Sequence, residues 1–181
     1  MKENSNIIDG EALDRYFSFN DALLEFHKLF NEENKDERSI AIVGGTFLEM
    51  ALEYILREFL PNQSSEIDEL FKFPQSMSNF SSKINLSYCL GLIDKVIKND
   101  LKLIKSIRNK FAHDLYVTFE DNQIKSWCKE LKFYKISLMI EPPKNLTELE
   151  IFQVGVNQLI SHLSGCIGFS RSEKRKLKND F

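Results

Sequence analysis

The side chains best suited to chemistry in this sequence lie together in residues 106–113. Arg108 could hold a phosphate, Asn109 could donate hydrogen bonds, and His113 could exchange a proton near neutral pH. These groups could act on a phosphodiester, with the histidine as acid or base and the arginine stabilising charge on a phosphate oxygen. RNA would be the natural substrate, because its 2′-OH is an internal nucleophile and no metal is then required.

The same residues also have a structural interpretation. Arg108 could pair with Glu49 or Glu53 on another helix, and His113 could hydrogen-bond the last carbonyls of its own helix. On a helical wheel Asn109 and His113 nearly stack, whereas Arg108 lies about 140° from His113. One regular helix therefore does not bring the arginine and the histidine to a single atom. Catalysis would need a helix that ends one residue before His113, or a second subunit.

No competing catalytic set is present in the sequence. There is no glycine-rich phosphate loop and no GxSxG motif, and His27 and His162 lack the spacing of metal ligands. The three cysteines, Cys89, Cys128 and Cys166, are far apart and have no CxxC spacing. We expect reduced core thiols of a cytoplasmic protein, and neither a metal nor a cofactor.

Composition excludes several classes of partner. The formal net charge is -3, so the chain has no general attraction for nucleic acid. We find no helix-turn-helix pattern with a basic recognition helix, and direct DNA reading is therefore not expected. The basic tail, residues 171–181, is expected to be solvated. Four charges interrupt the most apolar window, residues 40–60, so no membrane span is expected.

Hydrophobic periodicity predicts one mainly α, compact multihelical domain over residues 1–181. The predicted helices cover residues 11–31 (as one helix, or as two that meet near residues 18–20), 36–60, 63–71, 81–90, 94–113, 123–131 and 147–167. Two β-prone segments, residues 115–119 and 136–140, are predicted to pair as a small two-stranded β appendage near 115–140. Gly44 and Gly45 inside the second helix predict the close approach of a neighbouring helix.

Four blocks of the sequence, residues 39–43, 47–49, 80–93 and 104–113, together resemble the MltR family, named for the mannitol operon repressor of bacteria. The similarity covers residues 36–131, and the Arg-Asn-x-Phe-Ala-His block at 108–113 is its most specific part. The resemblance implies a compact multihelical fold and a cytoplasmic role as a bacterial transcriptional regulator. Since no DNA-reading element is found, the expected route of repression is contact with a protein partner.

A broader resemblance extends to the HEPN superfamily of helical proteins. Many of its members carry an arginine, a polar residue and, four to six positions later, a histidine; Arg108, Asn109 and His113 match the short form. In active members this motif is shared across a dimer and cleaves RNA without metal. Two hypotheses follow: a homodimeric MltR-like regulator that binds a protein, or a HEPN-like ribonuclease. In the second, His113 is the acid/base and Arg108 and Asn109 bind and orient the phosphate.

Overall fold

A computed structural model describes residues 10–30, 36–61, 65–137 and 145–178, with the backbone alone for residues 10–18 and 29. This part of the chain contains no strand and folds into α1 (Gly10–Phe30), α2 (Glu37–Phe59), α3 (Ser65–Phe71), α4 (Phe80–Cys89), α5 (Lys95–His113), α6 (Asn122–Glu130), α7 (Phe133–Ser137) and α8 (Glu148–Ser172). The prediction of a mainly α single domain is confirmed. Helix α1 is continuous, so the prediction of one helix over residues 11–31 is confirmed and the alternative with a break near residues 18–20 is not.

The core is built around α2, which packs against α1, α4, α5 and α8. The carboxylate of Asp36 caps its first turn by accepting hydrogen bonds from the backbone N–H groups of Arg38 and Ser39 at 3.3 and 3.2 Å. A hydrogen bond from the Ser39 hydroxyl is the main cause that lowers the pKa of Asp36. The helix ends at Phe59, two residues before Pro61, as expected from the restriction that proline places on the preceding residue.

Among the described helices, α2 alone has the length and apolar composition to cross a membrane. Of its most apolar stretch, 56% is buried inside the protein. Near its end the buried Glu58 accepts a hydrogen bond from Arg171 of α8 at 3.0 Å. These are the features of a core helix that other helices surround.

The two glycines of α2 lie where neighbouring helices approach most closely. A Cβ atom added at Gly45 would lie 2.8 Å from both Cβ and Cγ of Arg108 on α5. A Cβ added at Gly44 would lie 3.0 Å from the ring of Phe30 and 3.3 Å from Val156. The predicted reason for this glycine pair is therefore confirmed, and it ties α2 to the residues of the 108–113 block.

We expect Gly45→Ala to lower the free energy of unfolding by about 1–2 kcal/mol. Overpacking against Arg108 costs about 1–3 kcal/mol, and the higher helix propensity of alanine returns part of it. The matched control is Gly165→Ala in α8, where an added Cβ meets nothing within 4 Å. That control should be neutral or stabilising by up to about 1 kcal/mol. Urea denaturation checks both, and a Gly45→Ala protein as stable as the wild type would contradict the close contact.

The predicted β appendage is wrong. Residues 115–119 form a loop between α5 and α6. Of the second segment, residues 136–137 are the end of helix α7, and residues 138–140 lie outside the described part. In the loop, Val117 and Phe119 are buried while Leu115 and Tyr116 are exposed. Val117 and Phe119 therefore anchor an irregular loop to the core, and no strand pairs with this loop in the described part of the chain. The backbone N–H of Phe119 donates to Glu37 Oε2 at 2.9 Å and fixes the loop to α2.

A buried carboxylate joins α5 to the start of α7. Asp100 accepts hydrogen bonds from the backbone N–H groups of Lys132 and Phe133 at 2.9 and 2.7 Å. Its side chain is almost inaccessible, and this burial raises the pKa of Asp100 in spite of these hydrogen bonds. The carboxylate therefore accepts from two backbone N–H groups at the start of α7 that have no partner within their own helix.

The C-terminal helix α8 starts as predicted and runs further. Thr147 and Glu150 form a capping box at its N-terminus, and the helix continues to Ser172 rather than to residue 167. Beyond it, the basic tail is partly docked. The guanidinium of Arg175 lies 5.0 Å from the ring centroid of Phe59, and the Arg175 backbone N–H donates to the Phe59 carbonyl at 2.8 Å.

Candidate functional site

Helix α5 carries the Arg-Asn-x-Phe-Ala-His block and positions each of its side chains. Asp94 caps the helix by accepting a hydrogen bond from the Ile97 N–H at 2.8 Å. Its buried stripe includes Ile104, Ile107 and Phe111, which fixes the helix's rotation against the core. The helix stays regular through His113, and the N–H of Asp114 still donates to the Lys110 carbonyl at 2.9 Å. The broken helix that would bring the histidine towards the arginine is therefore not present in this chain.

Arg108 points from α5 to α2 and forms an ion pair there. Its Nη2 donates to Glu49 Oε2 at 2.7 Å, and the two side chains are 24% and 18% exposed. The guanidinium lies 5.8 Å from the ring centroid of Phe80, and its stem covers Gly45. This is the pairing that the structural interpretation of the motif predicts, at a partly dehydrated site between two helices.

The Arg108–Glu49 pair is one end of a longer chain of charges, which we call the ion-pair network. Lys83 of α4, whose side chain is 7% exposed, lies 3.4 Å from Glu49 Oε1 and 2.9 Å from Glu53 Oε2. The network continues through Arg57, which donates to Glu53 at 2.9 Å and to Asp68 of α3 at 2.7 Å. Three cations and three carboxylates alternate, so each buried charge has a neighbour of opposite sign.

Sequence reasoning found part of this network and missed its centre. Glu49, Glu53 and Arg57 recur at every fourth residue, a spacing typical of a solvated face with weak ion pairs and, less often, of a cleft. In the structure they line a cleft of about 520 Å³, together with Thr46, Met50, Tyr54, Asp68 and Lys83. The role of Lys83 could not be predicted, because nothing local in the sequence shows that a lysine of α4 is buried between two glutamates of α2.

A second, apolar groove of about 370 Å³ adjoins the cleft between α1 and α2. It is lined by Ala22, Glu25, Phe26, Ile42, Val43, Thr46, Phe47 and Met50. Thr46 and Met50 line both cavities, so the apolar groove and the charged cleft form one continuous surface.

The other two residues of the motif lie apart from these contacts. Asn109 is half-buried and His113 is exposed, and neither side chain forms a hydrogen bond with the described residues. Two lysines of the same helix have partners elsewhere: Lys105 donates to the Ser81 hydroxyl at 2.8 Å, and Lys110 lies 3.7 Å from Asp121. The catalytic roles of Arg108, Asn109 and His113 stay predictions, and the contacts within one chain do not bring the three together.

The last turn of α5 is capped by a residue that sequence reasoning missed. Arg38 of α2 donates to the carbonyl oxygens of Phe111 and of Asp114, the latter at 2.7 Å. A cation at a helix C-terminus satisfies free carbonyls and complements the helix dipole. This is the role that the structural interpretation gave to His113, so that assignment is wrong. Nothing in the sequence pairs Arg38 with a carbonyl more than seventy residues away.

The described residues place no group of three histidine, cysteine or acidic side chains where they could hold a metal ion. Cys128 is buried, and burial raises its pKa to about 12, so it behaves as an inert core thiol. Burial also raises the pKa of the half-buried Cys166. Cys89 is exposed, and the expectation that all three cysteines lie in the core is wrong for this one.

Comparison with known proteins relates the chain to one solved structure. No protein-family model matches the sequence, and no curated protein sequence matches it significantly. The X-ray structure of the MtlR-HPr complex from Escherichia coli contains a chain that this protein resembles at 17% sequence identity, with a TM-score of 0.55. The similarity covers 85% of this chain and 99% of the other. It shows a shared fold and is consistent with the MltR-like relationship indicated by the sequence blocks.

Proposed function

We propose that this protein is an MltR-like bacterial regulator that acts in the cytoplasm by binding a protein partner, namely HPr or a protein of the same kind. The observation that carries the proposal is the shared fold: almost the whole length of a chain from the MtlR-HPr complex is matched. The resemblance of residues 36–131 to the same family supports it independently of the structure.

The surface supports a protein partner over direct DNA reading. The net charge is -3, and two of the basic residues at the C-terminal end, Arg171 and Arg175, are engaged with the end of α2. Helix α5 is rich in lysine but packs against α2, α4 and α6. It is therefore not a helix projecting from the fold in the way that a recognition helix enters the major groove.

Immobilising the full chain and challenging it with three probes tests the proposal. The probes are E. coli HPr, a duplex DNA of about 30 base pairs and a single-stranded RNA. We expect saturable retention of HPr, and only weak retention of the nucleic acids that disappears as salt is raised. Tight, salt-resistant retention of the DNA with no retention of HPr would contradict the proposal.

The same preparation tests the ribonuclease alternative. RNA is incubated with the protein in EDTA, and the wild type is compared with His113→Ala. We expect no cleavage above background in either case. Cleavage that His113→Ala abolishes would overturn the purely regulatory proposal. Light scattering on these samples also measures whether the protein is the homodimer that the resemblance implies.

A further inference from the structure

Within the described residues, one stripe of the central helix α2 is covered by no other helix, and its side chains are exposed or half-buried. Helices α1, α4, α5 and α8 pack against its other sides. The open stripe consists of Ile42, Val43, Thr46, Glu49, Met50, Glu53 and Arg57, all of which line the apolar groove or the charged cleft. At 1.5 Å per residue it is about 22 Å long, which is the scale of a docking segment on another protein.

The first half of the open stripe is suited to apolar side chains. Ile42, Val43 and Met50 are half-buried at the rim of the groove, and the rings of Phe26 and Phe47 form its floor. Thr46 is exposed at the junction with the cleft. Covering such a surface with apolar groups of a partner contributes about 25 cal/mol for each Å² removed from water.

The second half of the open stripe offers carboxylate oxygens rather than cations. The side chains of Lys83 and Arg57 are 7% and 17% exposed, whereas that of Asp68 is 46% exposed. Only Oδ1 of Asp68 is engaged within the described residues, by Arg57. A group that enters the cleft therefore meets negative oxygens first, and a cation complements them.

We infer that the open stripe of α2 is the docking surface for the protein partner, and that the partner presents apolar side chains next to an arginine or lysine. The apolar residues fill the groove, and the cation enters the cleft beside Asp68 and Glu53. This inference rests on the proposed function and adds the place and the chemistry of recognition. The groove and the cleft meet at Thr46. The partner's apolar side chains therefore lie towards the N-terminus of α2 and its cation towards the C-terminus.

The test measures by calorimetry the affinity of HPr for one variant of the open stripe, at Thr46, and one variant of the adjoining cleft, at Asp68 of α3. Thr46→Arg places bulk and positive charge at an exposed position on the junction and should weaken binding by about tenfold or more. Asp68→Asn keeps an acceptor for Arg57 but removes the charge that meets the partner's cation. It should weaken binding less, and reduce the loss of affinity that the wild type shows when sodium chloride is raised.

Two controls keep these results interpretable. Thr46→Ala, at the same position, and Gln123→Arg, at an exposed position on α6, should bind HPr like the wild type. Thermal melts show whether each variant is folded.

If Thr46→Arg and Asp68→Asn bind HPr with wild-type affinity, the inference is overturned while the proposed function stands. If the wild type does not bind HPr, both fail together. If Thr46→Arg instead dissociates a homodimer and leaves HPr binding unchanged, the stripe is a self-interface and the inference is also overturned.

Discussion

Replacing Phe119 by alanine is expected to lower the free energy of unfolding by about 3–5 kcal/mol. Phe119 lies on the loop after α5, yet its side chain is only 2% exposed. Its ring centroid is 5.0 Å from that of Phe111 and 5.3 Å from that of Phe152, so it joins α5 to α8. Removing the ring leaves a cavity between two helices that close packing prevents from collapsing completely.

The matched control for Phe119→Ala is Tyr116→Ala, three residues earlier on the same loop. Tyr116 is 92% exposed, so its removal should change the free energy of unfolding by less than about 0.5 kcal/mol. Guanidinium denaturation followed by circular dichroism measures both variants. Equal stabilities for the two variants would show that the loop does not anchor the core and that the account of residues 115–119 is wrong.

Replacing Arg108 by alanine is expected to destabilise the protein by about 2–3 kcal/mol. The substitution removes the charged hydrogen bond to Glu49 and the stem that packs on Gly45. Lys83 stays close to Glu49, and the arginine is partly exposed, so the cost should be smaller than for a fully buried and isolated pair. Urea denaturation measures the change, and Arg108→Lys should recover only part of it because the amine cannot reproduce the guanidinium contacts.

The other motif residues are the internal controls for Arg108→Ala. His113 is exposed and Asn109 makes no side-chain hydrogen bond with the described residues, so alanine at either position should cost less than about 0.5 kcal/mol. In a double-mutant cycle, Glu49→Gln and Arg108→Ala should be non-additive by about 1 kcal/mol or more. Additive effects would show that the contact between Arg108 and Glu49 does not stabilise the fold. They would then favour a catalytic role for the arginine.

Features set by local sequence could be predicted here. The caps at Asp36 and Asp94 and the capping box at Thr147 follow from residue types and spacings within one helical turn. The close approach of neighbouring helices to α2 could also be predicted, because two adjacent glycines in a helix indicate a close neighbour. Glu49 was one of the two carboxylates, with Glu53, that the structural interpretation offered to Arg108, and it is the one that Arg108 contacts.

Features set by distant contacts could not be predicted. Val117 and Phe119 have the composition of a strand, but α5 and α8 bury them as loop residues, so tertiary packing overrides β-propensity. Lys83 and Arg38 likewise depend on partners 34 and 73 residues away in the sequence. The ion-pair network and the cleft therefore emerge only when α2, α4 and α5 are placed together.

The most direct test of the account is a calorimetric titration of the full chain with E. coli HPr, with wild type and His113→Ala measured side by side. We expect saturable binding with a fixed stoichiometry and equal affinities for the two proteins, because His113 lies on α5, outside the open stripe of α2. No heat of binding at protein concentrations of about 100 μM, where a dissociation constant in the micromolar range is readily measured, would contradict it.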